Sequence, residues 1–184
     1  MSGIVQITTP ITREGIAELP TGTLVHINGV LYTARDAAHQ RMADAMEAGE
    51  DLPFDASDQI LYYVGPTPAP DGAVIGAAGP TTGYRMDSYL EVMLEAGIRA
   101  TIGKGQRSPE ALAAMKRHGA AYLLATGGAG TLLSRCITSC EIIAYEDLGT
   151  EAVLKIEVEE FPCVVVYGAD GGDLFRMGRD DWSS

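Results

Sequence analysis

Between Val74 and Cys136 the chain alternates short apolar runs with amphipathic stretches of helical period. Ile60 to Val64, Ala73 to Ala77, Ile98 to Ile102 and Ala121 to Ala125 read as strands, because each is a compact β-prone run bounded by glycine, proline or polar residues. The helices between them are marked at both ends. Ser88-Tyr89-Leu90-Glu91 has the spacing of a capping box, Leu90, Met93 and Leu94 share one face, and Gly97 follows. Ser108-Pro109-Glu110 opens the next helix with proline at its first position, and Gly119 closes it. A third helix follows the turn Thr126 to Gly130 and runs to about Ile137. Strands alternating with helices argue for a parallel α/β layer.

The flanks read differently. Ile4 to Ile7 is a short strand, and a short helix or turn follows Thr12. Thr23 to Ile27 and Val30 to Thr33 are β-prone runs joined by Asn28-Gly29, which predicts a tight hairpin. Asp36 sits as the N-cap of a helix with Ala38, Met42, Ala45 and Met46 on one stripe and Gly49 past its end. Residues 50–59 read as a loop, and Pro66, Pro68 and Pro70 make 65–70 a surface loop. After Glu141 three β-prone runs follow, at 142–145, 153–158 and 163–167. A parallel layer flanked by such runs predicts an α/β fold, a single β/β/α domain over residues 1–184 with a mixed sheet.

Composition narrows the functional classes. Of 184 residues, 46% are hydrophobic and 21% charged, which excludes a disordered chain, and no apolar run reaches the length of a bilayer span. There are 25 acidic residues against 13 Lys and Arg, for a net charge of −12. That field repels nucleic acid and anionic membrane surfaces, so neither is an expected partner. It leaves room for a small anion, since a few local cations dominate a pocket. Three cysteines and no visible secretory leader point to a reducing, cytoplasmic setting.

In open α/β sheets the binding crevice lies beyond the carboxyl ends of the strands. The polar glycine-rich loops 79–87, 103–107 and 126–130 all follow predicted strands, and Arg35 follows another. Arg35, Arg85 and Lys104 would thus meet at one rim and suit a small dicarboxylate, because arginine forks match carboxylates. The alternative is that each is a solvated surface charge. Gly79-Pro80-Thr81-Thr82 taken alone is also an ordinary proline turn. His39, one helical turn after Arg35, either lines the site or faces solvent, whereas His26 reads as structural and His118 as a favourable charge at a helix C-terminus. Cys136, Cys140 and Cys163 lack the Cys-x2-Cys spacing of a cluster and read as buried small hydrophobes.

Five ordered motifs add a resemblance. They are Tyr32 to His39, Tyr63 to Pro68, Gly79-Pro80-Thr81-Thr82 with Arg85-Met86-Asp87, Ile102-Gly103-Lys104-Gly105, and Ala144 to Gly149. Together, over roughly residues 4 to 176, they resemble the β subunit of the iron–sulfur-dependent hydro-lyases, the class I fumarase and L-tartrate dehydratase family. In fused enzymes of that family the same unit is the C-terminal domain. The resemblance implies a swivelling β/β/α domain and a partner α subunit, in a heterotetramer with two copies of each. It implies a [4Fe–4S] cluster held by that partner, with no metal on this chain, and a shared site for reversible anti-elimination of water from a 2-hydroxydicarboxylate such as malate. It implies substrate-binding roles for Arg35, Arg85 and Lys104, and Gly79, Gly103 and His39 complete the candidate binding set. Thr81 matches the candidate base for the C3 proton, with Thr82 beside it as a second catalytic candidate. Gly83-Tyr84 stands where the fumarase branch usually has two small residues, which leaves the substrate open, while Met86-Asp87 leans toward fumarase. The rival class is a non-catalytic dicarboxylate-binding or regulatory α/β module that keeps the fold and the cations.

Overall fold

A computed structural model describes residues 3–182. Seven strands form one mixed sheet: β1 (Val5–Thr8), β2 (Leu24–Thr33), β3 (Ile60–Tyr62), β4 (Ala100–Gly103), β5 (Ala121–Leu124), β6 (Ile137–Ala144) and β7 (Val153–Tyr167). The first five run parallel in chain order. The long β7 runs antiparallel to β2 along one side, and on its other side to β6 and then β5. It therefore closes β2, β3, β4 and β5 into a ring. The α/β mixed-sheet reading holds.

The ring has two apolar faces, because side chains alternate along a strand. Inside pack Ile27, Leu31, Ile60, Tyr62, Ile102, Leu123, Ile156, Phe161 and Val165. Outside, Leu61, Tyr63 and Tyr122 meet the helices α2 (Asp36–Glu47), α3 (Asp87–Glu95) and α4 (Pro109–His118) through Met42, Leu90, Met93, Leu94 and Met115. The short helices α1 (Arg13–Ala17) and α5 (Gly130–Ser134) and the C-terminal α6 (Leu174–Trp182) complete the chain. Thr12 caps α1, and Ser108 caps α4 by accepting from the Ala111 N–H, with Gly119 left-handed at its end. Among the described residues no helix is long and apolar enough to cross a membrane.

Several local expectations give way to long-range pairing. Asn28-Gly29 makes no hairpin: β2 runs straight through it, with Gly29 at φ +101° in a bulge opposite β7. Both halves of β2 find their partner 130 residues away, and the Asn28 side chain accepts from the Glu160 N–H to hold the bulge. Residues 73–77 form no strand. The proline-rich excursion is instead closed by Thr67 against Ala77 and pinned by the Tyr62 hydroxyl, which donates to the Ala78 carbonyl. The capping box at Ser88 is also absent. A 3-10 turn, Gly83–Met86, leads directly into α3 at Asp87, and Glu91 pairs with Arg117 and His118. Asp36 is the first residue of α2 rather than its cap; the cap is Arg35, and the Ala37 N–H donates to Glu151 from across the fold. The last two β runs are one bulged strand, β7, and α5 stops at Ser134 so that Ile137 can open β6. Helix α6 carried no recognised sequence signal.

Candidate functional site

The chain leaves β2, β3, β4 and β5 at one edge of the ring; Gly103 ends β4 there, and every other candidate residue except His39 stands in the segments that follow. Arg35 comes two residues after β2, Lys104 directly after β4, and the turn 126–130 after β5. The excursion after β3 returns through a bridge between Val64 and Pro80, which brings Thr81 and Thr82 back to the same edge.

Backbone bonds lock two of these segments together. The Thr81 N–H donates to the Tyr63 carbonyl at 2.7 Å, and the Lys104 N–H to the Thr81 carbonyl at 3.0 Å. The Gly83 N–H donates to the Lys104 carbonyl at 2.9 Å, so Thr82 and Lys104 lie side by side as a parallel bridge. Gly103 and Gly83 are glycine for a steric reason. A Cβ on Gly103 would stand 2.7 Å from the Tyr122 hydroxyl, and one on Gly83 would stand 2.5 Å from it. Gly79 is pressed against the next turn: a Cβ on Gly130 would stand 2.9 Å from its nitrogen, and the Ala78 N–H donates to the Gly130 carbonyl. The Lys104 side chain lies over Gly127, exposed, with no carboxylate partner among the described residues.

The two arginines form a second group. Asp36 takes Arg85 in a fork, Nε to Oδ1 and Nη2 to Oδ2 both at 2.9 Å, and its Oδ2 lies 3.8 Å from Arg35 Nε. Glu151 approaches Arg35 Nη2 at 3.4 Å while capping α2. The Glu146–Glu151 segment that delivers Glu151 is itself tied to α2 by Arg41, bidentate on Asp147 at 2.8 Å and stacked over Tyr145. Arg85 is half exposed and Arg35 mostly covered. Tyr84 points outward beside Arg85, 64% exposed.

His39 is neither on the rim nor facing solvent; it is completely buried beneath Arg35. Its Nδ1 donates to the Arg35 carbonyl at 2.9 Å, since a carbonyl can only accept, and its Nε2 has no partner among the described residues. Burial pulls its pKa down to about 4, helped by nearby Arg107 and opposed by the Arg35 carbonyl and Asp36.

Sequence alone assigns no role to Arg107, Tyr122 or Glu151, and Tyr63 stands only as the first residue of a motif. Arg107 is the buried charge of this face. It forms an ion pair with Asp87, donates to Thr101 Oγ1 at 3.1 Å, and lies over the rings of both Tyr63 and Tyr122, 5.4 and 4.8 Å from their centroids. The only available signal was its position three residues after Lys104, in a loop already marked as polar.

The thiols stand elsewhere. Cys163 is buried in the ring interior, and Cys136 and Cys140 pack against the same core. Burial raises all three thiol pKa values, the reverse of what a thiolate ligand needs. Among the described residues no three His, Cys, Asp or Glu side chains converge as a metal site. The donor set of this chain does not fit an iron–sulfur cluster.

Comparison with known proteins adds kinship to this geometry. Residues 2–178 match the family model described as the fumarase C-terminus. The chain is 40% identical over 165 residues to fumarate hydratase 2 of Leishmania major, and 38% identical over 164 residues to the aerobic class I fumarate hydratase of Escherichia coli. These alignments cover 89% and 88% of this chain, which spans 29% and 30% of those longer proteins. It is also 33% identical over 172 residues to a Methanocaldococcus jannaschii protein provisionally named L(+)-tartrate dehydratase subunit beta, covering 90% of this chain and 88% of that one.

Proposed function

The chain belongs to the fumarase C-terminus family, and from that premise we propose that it is the β subunit of a hydro-lyase acting on a 2-hydroxydicarboxylate, with malate and fumarate as the preferred pair. One observation carries the reading. The edge that holds Thr81, Thr82 and Lys104, which has no carboxylate partner among the described residues, also holds Arg35 and Arg85, in a chain of net charge −12.

Arg85 and Arg35 would take substrate carboxylates. Each keeps guanidinium N–H donors beyond those facing Asp36 and Glu151, and a fork suits a carboxylate. Lys104 supplies a cation without a carboxylate of its own. Elimination removes a proton from C3, and Thr81 is the candidate base with Thr82 adjacent. A threonine hydroxyl is a weak base at its ordinary pKa, so this role depends on a neighbouring ammonium to favour the alkoxide. The backbone bonds of Lys104 to Thr81 and Gly83 keep its loop beside both threonines, with Thr82 as its partner in the bridge. Gly79 and Gly103 let the backbone approach closely, and His39 supports the turn that presents Arg35.

The [4Fe–4S] cluster of the resembling enzymes is assigned to a partner α subunit, and no residue of this chain is assigned to it. The test is anaerobic co-expression with a candidate α subunit, then a hydratase assay on fumarate, malate, tartrate and methylated analogues. The expected result is turnover by the complex and none by either chain alone. Tight dicarboxylate binding by this chain alone, with no turnover in any complex, would favour the regulatory module instead.

A further inference from the structure

Arg107 takes no part in the chemistry proposed above, yet besides Thr101 the groups it touches, Asp87, Tyr63 and Tyr122, each adjoin a segment that does. Its Nε pairs with Asp87, the residue that ends the turn carrying Arg85, and the other oxygen of Asp87 accepts from the Ser108 N–H at 2.7 Å. Its guanidinium stacks on Tyr63, whose carbonyl accepts from the Thr81 N–H. It also lies over the ring of Tyr122, whose hydroxyl donates to the Lys104 carbonyl at 2.9 Å. The Arg107 side chain is fully shielded from solvent.

We propose that Arg107 is a positioning residue, a buried clamp that holds the turn bearing Thr81, Thr82 and Arg85 in register with the loop bearing Lys104. The proposal rests on the reading of that edge as the substrate site. The physical case is one of geometry and charge. A guanidinium is planar and can stack on two rings while its edge pairs with Asp87 and Thr101; an ammonium cannot do all of these. Buried Asp87 needs a cation beside it, so the two segments stay joined at the rear whatever happens at the solvent edge. At the front two backbone hydrogen bonds join them among the described residues, while the Tyr122 hydroxyl holds the Lys104 carbonyl from β5.

The experiment uses the chain assembled with its partner and compares Arg107→Lys with Tyr122→Phe, which keeps the ring and removes only the hydroxyl. Positioning predicts that kcat falls about 10- to 100-fold for Arg107→Lys while KM moves by less than about fivefold, because misalignment acts on the reacting geometry more than on charge. Tyr122→Phe should show the same pattern at smaller size, and the double variant should be less than additive. Amide hydrogen exchange on the same samples should quicken at Gly83 and Lys104 while β3 and β4 stay protected. Wild-type kcat in a folded Arg107→Lys and in Tyr122→Phe overturns the proposal, as does loss of protection everywhere at once. Lys104→Ala and Arg85→Ala serve as controls: if both retain full kcat/KM, the substrate-site reading itself falls and takes this proposal with it.

Discussion

The Asp36 carboxylate grips Arg85 with both oxygens, each 2.9 Å from a guanidinium nitrogen, although the two residues are 49 apart in sequence. Asp36 begins α2 and Arg85 lies within the 3-10 turn Gly83–Met86, so the fork ties the segment after β2 to the turn beyond β3. It also fixes the guanidinium plane, leaving the opposite edge for a ligand.

Asp36→Asn therefore separates two effects. Removing a half-exposed negative charge would strengthen attraction of a dianion by less than about 1 kcal/mol. Freeing a long side chain from one rotamer costs up to about 2 kcal/mol on rebinding. Orientation is the larger effect, so KM for the dicarboxylate should rise roughly 3- to 10-fold with kcat changed less. A fall in KM would mean that Asp36 competes with substrate instead of aiming Arg85.

Arg85→Ala should cost more. Loss of one partner of a desolvated charge pair is worth about 2–5 kcal/mol. Arg85 is 50% exposed in the free chain, which points to the lower end, a loss in kcat/KM of roughly 30-fold or somewhat more. Arg85→Lys should recover only part of it, because the fork is gone. Steady-state kinetics across salt concentrations checks this: a few-fold effect that vanishes as salt rises would identify a mere surface charge.

Arg35 and Lys104 were legible because strand-end position is a local property: a β run followed by a polar loop puts both on one edge. Arg85 reaches that edge by another route, since residues 73–77 form no strand and the excursion returns through the Val64–Pro80 bridge. The supports of those cations were not legible. Asp36 reads as a helix cap from its neighbours alone, and only the distant Arg85 and Glu151 reassign it. Asn28-Gly29 carries the local signature of a hairpin, but β7 offers each half of β2 a full ladder, and nine paired positions outweigh one turn. Arg107 looks like any loop arginine until the fold wraps Tyr63, Tyr122 and Asp87 around it.

Gly83→Ala tests the packing behind the threonines. The new methyl would stand 2.5 Å from the Tyr122 hydroxyl and 2.8 Å from Arg107 Cδ, both fully buried neighbours. Overpacking of this kind costs about 1–3 kcal/mol. A lower denaturation midpoint with an unchanged m-value is expected, together with reduced turnover. Wild-type stability would show that the turn yields easily.

His39 makes the sharpest prediction about pH. Its folded-state pKa is held near 4 by burial, against 6.5 for a solvated histidine. Between those values the unfolded chain binds a proton that the folded chain refuses. Stability therefore rises with pH across that window and is lost as pH falls from about 6.5 toward 4, by at most about 3 kcal/mol. The groups around the ring set the size of the effect: Arg107 opposes protonation, while the Arg35 carbonyl and Asp36 favour it. The many carboxylates also destabilise the fold in acid, so the measurement must be differential. Denaturant midpoints of the wild type and of His39→Gln, taken from pH 7.5 down to 4.5, should diverge at neutral pH and converge in acid. The glutamine variant loses stability at pH 7 because a neutral, packed ring has been replaced, yet it lacks the titration that erodes the wild type. Parallel curves over the whole range would mean that the ring accepts its proton without leaving the core.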